Sequence, residues 1–73
     1  MTNQDATARF AQMFREVLTA GNLSPVEVEA GVAMKVAALD TNPLWQHGCY
    51  NAVIEGELAP FRAVLKVRAR WGL

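Results

Sequence analysis

Three prolines, Pro25, Pro43 and Pro60, constrain this 73-residue chain more than any other feature. Proline has no backbone N–H, so it suits the first turn of a helix and disrupts a helix interior. Two of the three directly follow a capping residue. Ser24-Pro25-Val26-Glu27 reads as a capping box with proline at the first helical position, and Leu23 and Val28 have the spacing of its hydrophobic staple. Asn42-Pro43 repeats the cap-and-proline pattern. Each of these signals starts a helix, so the segments before, between and after them must be separate helices.

Upstream of the first signal, Phe10, Met13, Phe14, Val17 and Leu18 recur at the spacing of one helical face, and Gly21-Asn22 is a stop signal. Thr2 or Asn3 can cap this helix, and Asp5 suits its first turn. The helices expected are about 4–20, 25–39, 43–58 and 60–70. Pro60 either kinks one long helix or starts a fourth. The break is expected near Leu58–Ala59, because the residue before a proline avoids the α region. No segment alternates with period two, so the fold class is all-α. A single domain spanning 1–73 follows, a hairpin or bundle of three helices, or four with the break at Pro60.

The apolar residues exceed what such a bundle hides. Hydrophobic residues make up 52% of the chain, and a domain of this size buries only about 60% of its unfolded surface. Helix 25–39 is apolar nearly all round, with Val28, Val32 and Val36 among its bulky positions. Beyond Pro43, Tyr50, Ile54, Leu58, Phe61 and Leu65 form one seam. Trp45, Cys49, Ala52, Gly56, Ala59 and Ala63 form a second, built from small residues after its tryptophan. One cysteine and one histidine supply neither a disulfide framework nor a structural zinc site. Oligomerisation is the stabilising device left to a small domain. A homodimer is therefore expected, with Val28, Val32, Val36, Cys49, Ala52 and Gly56 in its interface.

Seven acids balance seven bases, but unevenly. All seven acids and three bases lie in residues 1–57, a net of −4, whereas residues 58–73 hold four bases and no acid. Arg62, Lys66 and Arg70 follow one another at i, i+4, i+8 and share a helical stripe, with Phe61 and Trp71 at the ends of the segment. A balanced charge argues against both an acidic nucleic-acid mimic and a nonspecific basic DNA binder. The stripe fits an acidic protein surface, a solvated helix end or, doubled in a dimer, nucleic acid.

No catalytic set emerges. His47 and Cys49 are two residues apart and face apart on a helix, as do Glu55 and Glu57. Glu27 and Glu29 suit a helix first turn, and Ser24 is accounted for as a cap. No glycine-rich loop follows a strand. The sequence therefore predicts no enzyme, no metal and no cofactor. Cys49 is expected to be buried as a small apolar residue. Trp45 is the expected partner anchor, since tryptophan is enriched at interface hot spots. The expected partner-binding set is Trp45, Phe61, Arg62, Lys66, Arg70 and Trp71. No run approaches 18 consecutive apolar residues, and the first residues carry neither a basic nor an apolar leader segment. A cytoplasmic protein without a membrane partner is expected.

Asp40-Thr41-Asn42-Pro43-Leu44-Trp45, followed by Ile54-Glu55-Gly56-Glu57-Leu58-Ala59, is similar to short helical proteins encoded by bacteriophages, those of the anti-CRISPR and anti-quorum-sensing kind. The resemblance covers about 20 residues, contains no diagnostic motif and transfers no functional residue. It implies a protein that binds and blocks a host protein. The alternative function is a nucleic-acid-binding or transcription-regulatory helical dimer that uses the basic C-terminal helix. A third class is a small-ligand sponge at an oligomer interface, with Trp45 and Tyr50 as stacking groups.

Overall fold

Four helices account for the chain in a computed structural model that describes residues 2–72. They are α1 (Asn3–Ala20), α2 (Pro25–Leu39), α3 (Pro43–Gln46) and α4 (Tyr50–Arg70). No strand occurs among the described residues, and the fold is all-α. The expected domain, 1–73, extends to Met1 and Leu73, which lie outside the described residues.

Local chemistry sets most of the boundaries. The Thr2 side chain accepts from the Asp5 N–H at 3.1 Å and caps α1. The helix ends in a Schellman turn. Asn22 adopts a left-handed φ of 66°, its N–H donates to Thr19 O, and the Leu23 N–H donates to Leu18 O. Asparagine tolerates that conformation better than most residues with a Cβ. The capping box of α2 forms in full. The Ser24 N–H donates to Glu27 Oε1 at 3.1 Å, and the Glu27 N–H donates to Ser24 Oγ at 3.3 Å. Asn42 Oδ1 accepts from the Leu44 and Trp45 N–H groups and caps α3.

The third expected helix is corrected. It stops after one turn at Gln46, and the chain reverses through His47-Gly48-Cys49. Gly48 has φ 83°, the Gly48 N–H donates to Trp45 O and the Cys49 N–H donates to Leu44 O. That is a second Schellman turn, with glycine at its left-handed position. The break expected near Leu58–Ala59 does not occur, because α4 runs through Pro60 to Arg70. Seam residues on both sides of the proline hold it in line. Ile54 and Leu58 are fully buried, and Phe61 packs on the core one turn beyond.

The first helix is the spine. It forms an antiparallel hairpin with α2, joined where Arg15 makes a two-pronged bond to Glu29 (2.7 and 3.1 Å). Gly31 lets Leu18 approach, since a Cβ there would meet Leu18 Cδ1 at 2.9 Å. The fourth helix runs parallel to α1. Contacts step along both helices together, from Arg9 with Asn51 (2.8 Å), through Phe14 with Phe61, to Gly21 with Arg68 (3.3 Å). Short α3 tucks Trp45 under the bundle, edge-on to Phe10 and Tyr50. Phe10, Phe14, Ile54 and Leu58 are the largest fully buried side chains.

Two ion-paired or capped acids make stability pH-dependent. Glu27 is held below the usual carboxylate range by the Ser24 side chain first and by the Ser24 backbone second. The Arg15 side chain, by hydrogen bonding, holds Glu29 low as well. Both folded-state values are depressed. The stability they lend is therefore present above the unfolded value and lost as pH falls through the folded one, from about pH 4.3 downward. Urea midpoints should drop between neutral pH and pH ~3, and the Glu27→Gln/Glu29→Gln double variant should flatten that drop. An unchanged drop in the double variant would assign the acid sensitivity to other carboxylates.

Candidate partner-binding surface

The C-terminal half of α4 brings together the residues with most surface to offer. Val64, Val67 and Trp71 are 58%, 52% and 73% exposed. With Pro60, also exposed, they recur at i, i+4, i+7 and i+11, one continuous apolar stripe. Lys66 and Arg70 are exposed nearby and have no ion-pair partner among the described residues. On the side facing α1, α4 and the end of α1 enclose a hollow of about 290 Å³. Val17, Leu18, Leu23, Phe61, Val64 and Leu65 line it, with Arg68 beside them. A second hollow of about 220 Å³ lies toward α2. It shares Leu18 and Phe61 with the first and adds Phe14, Gly31, Met34 and Lys35.

The expected cationic stripe is divided by its bonding. Arg62 Nη1 bonds Glu55 Oε2 at 2.7 Å, about two turns back along α4. Arg68, off the stripe, donates to the carbonyl of Gly21. Lys66 and Arg70 are the two stripe cations outside such bonds among the described residues. Phe61 does double duty, half-buried edge-on against Phe14 at 5.3 Å and lining both hollows.

Several expected site residues are corrected. Trp45 is no partner anchor, for it is 3% exposed, with its ring 5.9 Å from Phe10 and 4.7 Å from Tyr50. That burial also removes Trp45 and Tyr50 as a stacking pair for a small ligand. Val28 and Val32, assigned to a dimer interface, lie in the core of a single chain, and Val36 packs against that core. The outer face of α2 is instead Val26, Ala30, Ala33 and Met34, all exposed, with Val26 at 80% and Met34 at 75%. Cys49 is exposed rather than buried, because it precedes α4 in the reversal after Gly48. Ala52 and Gly56 are exposed on the outer side of α4, as are Ala59 and Ala63.

The sequence reading missed Val64, Val67, Leu23 and Met34. The spacing of Pro60, Val64, Val67 and Trp71 is a one-dimensional signal for this stripe, interleaved with the cations of the same segment. Among the described residues, no three His, Cys, Asp or Glu side chains are placed to hold a metal ion, and no polar or charged side chain is buried. No helix among the described residues is long and apolar enough to cross a membrane. Comparison with known proteins finds no matching family model, no matching curated protein and no matching solved structure.

Proposed function

We propose that this protein is a non-enzymatic binding module that attaches to another protein through the C-terminal half of α4. In keeping with the resemblance to phage accessory proteins, attachment would block a host protein. The observation that carries this reading is the exposed run Val64, Val67 and Trp71. A large apolar side chain gains about 1.5–3 kcal/mol on full burial, so a contiguous exposed set on a domain this small is a strong drive toward association. Lys66 and Arg70 supply the polar rim that interfaces of this kind carry. A second apolar face, Val26 and Met34 on α2, is available for pairing with another copy of the chain.

Trp71 beside Lys66 and Arg70 also supports the second reading, a nucleic-acid surface that pairs base stacking with phosphate contacts. Two cations outside internal bonds give only a shallow, salt-sensitive attraction, which puts the protein partner first.

Affinity capture from a bacterial host lysate tests the proposal with the wild-type chain, a Val67→Glu/Trp71→Glu variant and a Gln4→Glu control at an exposed position on α1. A polypeptide should be recovered in near-stoichiometric amount by the wild type and the control. It should be lost with the double variant while helical circular dichroism is unchanged. Equal recovery by all three, or recovery of nucleic acid alone, would overturn the proposal.

A further inference from the structure

The two hollows beside α4 form one furrow. Leu18 and Phe61 line both, so the two adjoin there and together reach from Lys35 at one end to Arg68 and Leu23 at the other. At the Lys35 end its sides are α2 and α4, and at the Arg68 end they are α4 and the end of α1 with Leu23. α2 and α4 meet where Lys35 Nζ bonds Glu57 Oε2 at 3.2 Å, and beside that contact Phe14 and Leu18 of α1 floor the gap between Gly31, Met34 and Phe61. A slot bounded by two helices over a third has the shape that a further helix fills in a four-helix bundle.

The charged residues lining the furrow are Lys35 and Arg68, both cations; no acid lines either hollow. Lys35 stands 5.7 Å from the ring centres of Phe14 and Phe61, and Arg68 lies seven residues beyond Phe61 on α4. At 1.5 Å per residue, Phe61 and Arg68 are about 10 Å apart along the helix, close to two turns.

We propose that this furrow is a docking slot for an amphipathic helix of a partner protein that carries acidic residues beside its apolar face. The assignment rests on the protein-binding reading and names the partner's chemistry. The partner's apolar residues, at i, i+3 or i+4 and i+7, lie over Leu18, Phe61 and Val64. Its acids, about two turns apart, meet Arg68 at one end and Lys35 at the other. Lys35 then exchanges or shares its intramolecular partner Glu57.

Two synthetic 18-residue helical peptides with the same leucine face serve as probes, one with glutamate flanks and one with lysine flanks. Each is titrated into the isotope-labelled full chain and followed by amide chemical shifts. The glutamate-flanked peptide should bind one to one and perturb Leu18, Gly21 and Phe61 through Arg68. Arg68→Glu should weaken it about tenfold, and the lysine-flanked peptide should bind less tightly than the glutamate-flanked one. Val64→Glu, at a half-exposed wall position that can be changed without disturbing the core, should weaken it similarly. The inference falls if the lysine-flanked peptide binds as well or better, or if the shifts map to Val26 and Ala30. It also falls if neither peptide binds, or if dilution alone moves the furrow shifts, since the slot would then hold a second copy of this chain. A lysate partner that survives Val64→Glu and Arg68→Glu but is lost with Val67→Glu/Trp71→Glu would overturn the furrow assignment and leave the protein-binding reading standing.

Discussion

Truncating Phe14 to alanine should destabilise the fold by about 3–5 kcal/mol. Phe14 is fully buried and ties three helices together. Its ring lies 4.8 Å from Phe10 on α1, 5.3 Å from Phe61 on α4 and 5.7 Å from the Lys35 ammonium on α2. Removing it deletes the transfer free energy of a large aromatic group and leaves a cavity that three rigid helices cannot close. It also removes two aromatic pairs. A domain of this length has a total stability of only about 4–11 kcal/mol, so the variant should be partly or wholly unfolded at room temperature. Urea denaturation followed by far-ultraviolet circular dichroism checks this. A loss below ~1 kcal/mol would mean that the site collapses around the missing ring. The core would then be far more plastic than its close aromatic contacts indicate.

The caps and the first two helices were legible because their signals are local. A capping box, a proline at the first helical position and the Gly21-Asn22 stop each act within five residues, and each formed as the sequence predicts. Gly48 carried a local signal as well. A glycine two residues after Gln46 marks a helix end, yet the heptad-like seam that runs from Trp45 suggested continuity and outweighed it. Burial was harder to read. On α2 an apolar pattern nearly all round gives no phase from which to choose a buried face. Which valines go inward is decided by α1, through the Leu18–Gly31 approach and the Arg15–Glu29 pair. The same ambiguity sent Val28 and Val32 to an interface and Trp45 to the surface. Tryptophan at an interface and tryptophan in a core have the same one-dimensional signature, and only its contacts with Phe10 and Tyr50 separate them. The furrow was not legible at all. It arises from where α2 and α4 part company, which is a property of three helices and of none alone.

Replacing Pro60 with alanine should stabilise the protein by about 1–3 kcal/mol. Pro60 is exposed inside α4, where it provides no N–H to the Gly56 carbonyl and its ring crowds that same carbonyl. The substitution restores the missing hydrogen bond and relieves the crowding. The gain is trimmed by about 0.4–1 kcal/mol, because alanine frees the unfolded chain. In a domain of this size each kcal/mol raises the melting temperature by about 4–8 °C, so thermal denaturation should resolve the change easily. A fall in melting temperature would show that α1 needs the bend a proline imposes on α4 for Phe61 and Leu65 to reach it. Position 60 also bears on binding. The contact between Lys35 and Glu57 precedes the proline, whereas Val64 and Arg68, which wall the furrow, follow it. Position 60 therefore joins the half of α4 that meets α2 to the half that carries the proposed site. The Pro60→Ala chain should be more stable and bind the glutamate-flanked peptide as tightly as the wild type, because α4 is one continuous helix through residue 60. Greater stability with weaker peptide affinity would instead show that the proline sets the course of the C-terminal half of α4 and with it the shape of the site.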